Sequence, residues 1–461
     1  MAYTEIDDPS AFFQTTLYTG NGGTQSITNG GNSDLQPDFV WIKVRNQGSN
    51  HNLQDSVRGS TKIIKSNTTA DETTDANGVT SFNTDGFSIG TRSDINNNGS
   101  SYCSWSWSAA GATPSNTYVV KVVSDTGNKY RFDDFGTSSV TLEISEGGTF
   151  TFDQSDSSNN GHPLRFATQA DGANSSQYTT GVTTNGTPGQ AGAYTRITVA
   201  ASAPTLFYYC TNHSGMGGQA NTPTTNSFSN FSGSIQTNIS PNTTSEFSIV
   251  KYTGTGSNAT IGHGLGVVPK MIIVKNTSTT DSWMVYHVGM GNNAYMHLDT
   301  NNGALSPSTN QFQATTPTSS LFYVGTADGT NKSSSNMIAY CFAEKTGYSK
   351  FESYTGNGST NGSFIYTGFK PAFVMVKQTN ASGEDWFICD NRREGYNAEN
   401  NRLLPNLSSA ESTDSPIDIL SNGFKARLSG ANVNASGGTY IFMAFAENPF
   451  TSSAGTPVTA R

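Results

Sequence analysis

A chain of 461 residues can bury several cores, yet charged residues make up only 13% and the formal net charge is −9, so the basic surface that nucleic-acid binders use against phosphate is excluded. The 26 Phe and 19 Tyr exclude disorder of the weakly hydrophobic kind, and no apolar run is long enough for a helical membrane span. Four cysteines (Cys103, Cys210, Cys341 and Cys389) are too few and too scattered for a disulfide framework.

In chain order, MAYTEIDDPS shows neither the basic nor the apolar region of a signal peptide. A signature then appears that recurs three times. Tyr-Thr-Gly opens each copy, at 18–20, 252–254 and 354–356. A proline, a hydrophobic run and a lysine follow, as PDFVWIK (37–43), PKMIIVK (269–275) and PAFVMVK (371–377). Copies two and three also share Trp283 and Trp386, while Gly86-Phe87 and Gly423-Phe424 recur in copies one and three. Each copy closes on an aromatic run: YCSWSWSA (102–109), MIAYCFAE (337–344) and YIFMAFAE (440–447). Proline at a strand start needs no ladder donor, and period-2 aromatics such as Trp105 and Trp107 line one face of a strand. The pattern predicts an all-β chain of tandem antiparallel, jelly-roll-like β-sandwich domains over 1–112, 247–347 and 348–461, the last with a polar tail.

Residues 113–222 differ. They read as strands (YVVKVV, VTLEISEGGTFTFDQSD, AYTRITVA) and end in LFYYCTNHSGMGG at 206–218. Blue-copper sites need two imidazoles, a thiolate and a weak axial thioether. His162 follows a Gly/Asn turn, and Cys210-x2-His213-x2-Met216 sets three more donors on one tight loop after an aromatic strand. The segment resembles the cupredoxin family, specifically its short-loop members. That resemblance implies a Greek-key sandwich with His162 and His213 as imidazole ligands, Cys210 as thiolate and Met216 as axial ligand, and copper as the cofactor. The polar GGQANTPTT after Met216 departs from the family's apolar last strand. The same side chains can also pack without metal through hydrogen bonds and sulfur–aromatic contacts, and both readings stand at this stage. The Ser/Thr/Asn-rich stretch 223–246 is expected to be a linker.

Weaker motifs read structurally. Gly86-Phe87-Ser88-Ile89-Gly90 has the spacing of a nucleophile elbow, but the polar TRSDINNNGSS follows where a helix is required. Asp94-x-Asn96-x-Asn98-Gly99 resembles the front of a calcium loop, with Trp105 where the bidentate Glu belongs. Glu384, Asp385 and Asp390 beside Trp386 invite a glycosidase reading, and Trp283 and Trp386, if exposed, could stack on glycans. His51, His263, His287 and His297 share no ligand spacing.

The opening EIDDPSAFFQTTLYTGNG, then LQPDFVWIKVRNQGSNHNLQDSVRG, SFNTDGFSIG, SYCSWSWSAAG, the third copy and the ending GTPVTAR resemble virion structural proteins of marine and cyanobacterial tailed phages. The resemblance implies a non-enzymatic particle-surface role. The subunit would be made in the host cytoplasm and sit on the exterior, on the tail in preference to the head. Expected partners are other virion proteins and a host surface glycan or envelope receptor, with a homotrimer expected, and neither nucleic acid nor membrane insertion. Alternatives are a head-decoration or neck component without receptor binding, a copper redox protein and a glycan depolymerase.

Overall fold

The computed structural model describes residues 4–110, 113–393, 397 and 399–458, so the last three residues of the tail lie outside the described part. Strands dominate, with only short α- and 3-10 turns between them. Among the described residues no helix is long and apolar enough to cross a membrane. The chain divides into two compact units. One gathers 1–109, 241–258 and 265–461; the other gathers 110–240 and 259–264.

In the first unit the three signatures build the same sheet three times. The opening strand, the closing strand, the run after the proline and a flanking strand lie side by side, all antiparallel. Copy one sets Phe13–Thr19, Ser101–Trp107, Phe39–Val44 and Asn52–Asp55 in that order. Copy two uses Phe247–Thr253, Asn336–Phe342, Met271–Asn276 and Met284–His287. Copy three uses Ser349–Thr355, Thr439–Pro449, Phe369–Gln378 and Phe387–Asp390. A second, smaller sheet covers one face in copies one and three: Gln25–Ile27, Phe87–Ile89 and Val79–Phe82 in the first; Phe364–Tyr366, Gly423–Ala426, Ser412–Leu420 and Glu399–Arg402 in the third. The predicted all-β sandwich class is what the chain adopts.

The run strands are buried on both faces, and alternation divides the two faces between two cores. In copy one, Val40, Ile42 and Val44 pack with Ile27, Phe87 and Ile89 inside that copy's own sandwich. The opposite residues, Phe39 and Trp41, join Trp105 and Trp107 in a core that also holds Ile249, Ile273, Trp283 and Tyr340 of copy two and Phe373, Met375, Trp386 and Phe445 of copy three. The expectation of three separately cored domains is therefore corrected. The copies share one centre because each sheet carries a second apolar face that needs a partner.

Contacts between copies repeat cyclically. Trp283 Nε1 of copy two donates to the Lys65 carbonyl of copy one (2.9 Å), and Trp386 Nε1 of copy three to the His297 carbonyl of copy two (3.0 Å). In copy one His51 takes the tryptophan's place, its Nε2 lying 3.0 Å from the Leu404 carbonyl of copy three. A second ring uses the other end of each flanking strand. Asp55 of copy one accepts from the Tyr340 hydroxyl of copy two (2.7 Å), and Asp390 of copy three from Trp105 Nε1 of copy one (3.0 Å). The closing strand of copy three has Met443 where the others have Trp105 and Tyr340, so it offers no donor there. Copy two correspondingly has His287 in the aspartate's place, with Nε2 3.0 Å from the Phe442 carbonyl. Each buried aspartate is also paired with an arginine three residues on, Asp55 with Arg58 (2.5 Å) and Asp390 with Arg393 (2.7 Å).

These contacts explain the signature. The tyrosine hydroxyls of Tyr18, Tyr252 and Tyr354 donate to the carbonyls of Ile95, Thr330 and Val433. Those carbonyls precede Asn96, Asn331 and Asn434, whose side chains bond to the turn after each Tyr-Thr-Gly. The glycine is demanded by close approach: a Cβ at Gly20, Gly254 or Gly356 would lie 2.3 Å from a backbone oxygen. Lys43, Lys275 and Lys377 are buried, and burial lowers each to about 8 despite nearby carboxylates.

The second unit is a single two-sheet sandwich. One sheet orders Asn128–Phe132, Ser115–Ser124, Thr149–Asp153, Tyr194–Thr198 and Val182–Asn185. The other orders Leu142–Glu143, Gly218–Asn221, Leu206–Cys210, Leu164–Ala167 and Gln177–Tyr178. Parallel pairs (Ser115–Ser124 with Thr149–Asp153; Leu142–Glu143 with Gly218–Asn221) lie within these otherwise antiparallel sheets. Tyr118, Phe132, Phe152, Phe166 and Tyr208 fill the space between the two sheets. The polar segment after Met216 does form a strand, with Ala220 buried. Residues 223–246 are not a linker. Phe228–Asn230 pairs with Thr237–Asn242, and Phe231 packs on Phe132 and Phe135.

Candidate metal centre

The register of the second sheet creates the site. Leu164 lies opposite Cys210, so His162, two residues before the strand, arrives beside the last residue of Leu206–Cys210. A 3-10 turn at Ser157–Asn159, capped by Asp156, leads into it, and His162 N bonds to the Asn159 carbonyl at 2.8 Å. The His162 carbonyl accepts from Tyr130 Oη (2.9 Å) and Gln154 Nε2 (2.8 Å), which fixes the backbone that presents the ring.

The loop after Cys210 folds back under equally specific restraints. Asn212 donates to the Gly161 carbonyl (2.8 Å), and both Asp171 carboxylate oxygens accept from Gly215 N at 2.9 Å. The Met216 carbonyl accepts from Tyr130 N (2.9 Å) and Ser139 Oγ (3.1 Å). Gly217 has no substitute, since a Cβ there would lie 1.7 Å from the Tyr208 carbonyl oxygen.

His162, Cys210 and His213 converge, their ligand atoms all within 4.8 Å of one another. Cys210 Sγ lies 3.8 Å from His162 Nδ1 and 3.7 Å from His213 Nδ1. Donors bound tetrahedrally to one metal at about 2.0–2.3 Å sit roughly 3.3–3.8 Å apart, so the thiolate-to-imidazole distances fit a single ion held by one thiolate and two Nδ1 atoms. Soft sulfur with two imidazoles suits copper, and zinc tolerates the same set. The same distances also suit a thiol hydrogen-bonded to an imidazole, the metal-free alternative. Cys210 and Met216 are buried, His162 is half-buried and His213 exposed. Burial, with His213 alongside, lowers the pKa of His162 and favours the neutral ring that a metal requires. Asp171, Tyr130 and Gln154, which hold the two ligand-bearing segments, carry no spacing signal and were missed in the sequence.

The other motifs are structural. Ser88 lies within the strand Phe87–Ile89, without a strand-to-helix elbow. Asn96 is buried and bonded to the Gly90 carbonyl, and Asp94 pairs with Arg92. Trp283 and Trp386 are buried at the shared core, so neither is a platform for glycans. Asp385 accepts from Asn406, and Asp390 is occupied by Arg393 and Trp105. His51 and His287 bridge copies through backbone carbonyls.

No curated protein and no solved structure matched the chain. A family model described as a domain of unknown function (DUF7483) matches residues 8–130 and 218–449, which include the signatures of all three copies and leave out 131–217, where His162, Cys210 and His213 lie. The chain belongs to the DUF7483 family.

Proposed function

We propose that this chain is a structural subunit of a phage particle, a tail-fibre or appendage protein that contacts the host surface, with a head-decoration or neck position as the alternative site. The observation that carries the reading is the ring of three copies around one core. Its interfaces are built from buried aromatics and saturated Asp–Arg pairs, the construction of a rigid scaffold. Loops rich in Asn, Ser, Thr and Gly suit hydrogen bonding to surface polymers with little salt dependence. The homotrimer expected between chains remains part of the proposal, although threefold repetition already exists inside one chain. Labelled antibodies against the chain, viewed on intact particles, test the reading: decoration of the tail is expected, and unlabelled particles would remove it.

A second reading attaches to the inserted unit, and the converging thiolate and imidazoles favour it. His162, Cys210 and His213 would hold copper, with Met216 on the same loop as a further, weak thioether donor, and bound metal would stiffen the loop that follows Cys210. Copper loading should give an intense blue band that is bleached by reduction and lost in Cys210→Ser. A colourless protein with an unchanged melting midpoint would establish the metal-free packing instead.

A further inference from the structure

Copy one acts as a control for copy three. In each, a short strand pairs with the strand at the Gly-Phe dipeptide, Ile27 opposite Phe87 and Ile365 opposite Phe424. The inward residues agree, both isoleucines being buried. The outward ones do not. Copy one presents Ser26 and Thr28; Ser26 bonds to Ser88 across the strands (3.1 Å), and Ser88 to Asn83 (3.0 Å). Copy three has Phe364 and Tyr366 at those positions, 48% and 57% exposed, the most exposed large hydrophobic side chains among the described residues. The same sandwich closes over serine and threonine in copy one, so folding does not require rings there.

Side chains two residues apart on a strand share a face at about 7 Å spacing, which sets the two rings side by side. Across from Phe364 stands Lys425, whose Nζ bonds to Asn361 Oδ1 at 2.6 Å. Next in line, Asp418 lies opposite Lys425 and 3.4 Å from Arg427 Nε. Half-buried Leu420 lies opposite Gly423, extending the apolar floor beside Tyr366. The face is a two-ring platform with a polar rim that carries both signs of charge.

Size and charge select the occupant. Two half-exposed rings offer on the order of 100–200 Å², against about 800 Å² per partner in an ordinary protein interface. That area matches one or two pyranose rings, whose C–H faces cover aromatic carbon while their hydroxyls reach amide and ammonium groups at the edge. Asp418 stands across the strands from Lys425 and beside Arg427, so the face carries both signs, and a net charge of −9 disfavours acidic polymers; the sugar is neutral. We propose that the outward face of Phe364–Tyr366 and Gly423–Ala426 binds a neutral oligosaccharide, with Phe364 and Tyr366 as the stacking platform and Lys425 and Asn361 as hydrogen-bonding edge groups. This names the partner class for the host contact and rests on the surface-subunit reading for where the glycan comes from.

The full-length protein should be screened against an array of neutral hexose and N-acetylhexosamine oligosaccharides, with saturation-transfer NMR and titration on the best binder. The double variant Phe364→Ser/Tyr366→Thr writes copy one's residues into copy three. It should keep the wild-type melting midpoint and lose affinity by roughly tenfold or more. Asn361→Ala should weaken binding by a smaller factor. Failure of every oligosaccharide to bind, or equal affinity in the double variant, would overturn the site. So would wild-type self-association in sedimentation that the double variant abolishes, since the face would then be a chain–chain contact. Antibody labelling separates the two readings: glycan binding by a protein that no particle carries would leave the site standing and remove the virion assignment.

Discussion

The ring of three copies and the inserted sandwich use the same material, short aromatic-rich strands, in opposite ways. In the ring each sheet has two apolar faces, and buried polar groups on the shared face find partners on a neighbouring copy: Asp55 with Tyr340, Asp390 with Trp105, Trp386 with the His297 carbonyl. In the insert one core lies between two sheets, and the polar residues of interest, His162, Cys210 and His213, stand at its end. Saturated side chains at an interface hold shape; converging donors at a sandwich end can take a ligand. The family match covers the ring together with 110–130 and 218–240 of the insert, and omits 131–217, which hold His162, Cys210 and His213.

The largest expected effect that tests this contrast is Asp390→Ala. It takes the acceptor from Trp105 Nε1 and from Arg393 Nε, leaving the buried guanidinium with Glu411 and the Ile388 carbonyl, so the ring should lose about 3 kcal/mol. Hydrogen exchange should show lost protection in the strands of all three copies, with Tyr194–Thr198 of the insert unchanged. Equal loss in that strand would mean the two regions unfold together. Phe132→Ala is the reciprocal experiment. It removes a ring packed on Phe152, Tyr208 and Phe231 and should cost the insert about 3–4 kcal/mol while sparing Ser101–Trp107.

The next effect is a pH dependence confined to the ring. Lys43, Lys275 and Lys377 are held at about 8 against 10.5 for an ordinary lysine. Between those values the unfolded chain binds more protons than the folded one. Stability should therefore be flat just below 8 and rise toward 10.5, by up to about 3 kcal/mol for each lysine. Lys43→Met should flatten part of that rise in urea titrations. His287, which burial holds at about 4, carries the same sign on the acid side, so stability should fall as pH drops from 6.5 toward 4. The smallest effect is Tyr354→Phe. It deletes the 2.7 Å bond to the Val433 carbonyl and should lower the ring's stability by about 1 kcal/mol, readable as a shifted melting midpoint.

Much of this was legible before any coordinates. The repeated Tyr-Thr-Gly, the proline-led runs and the aromatic closing strands specified three copies of one antiparallel unit. Cys210-x2-His213-x2-Met216 with an upstream His162 picked out the cluster. What escaped was partnership. Alternation shows that Trp41 and Trp105 face a core, but a period of two does not say whether that core belongs to their own copy or to three. The tryptophans at 283 and 386 read as core residues, with glycan stacking as the alternative if exposed; the structure buries both, and the exposed rings are Phe364 and Tyr366. The stretch 223–246 looked like a linker because its Ser, Thr and Asn outnumber Phe228, Phe231, Ile235 and Ile239, yet those four are buried.

The amino-acid order alone set the strands, their faces and the glycines that close each turn, because steric fit and alternation act over a few residues. Only the tertiary structure decided that three sheets share one centre, that Asp55 and Asp390 meet donors from the next copy while His287 compensates for Met443, and that two aromatic rings remain in solvent. Those outcomes depend on which surfaces meet across hundreds of residues, and burial is a property of the meeting, not of either segment.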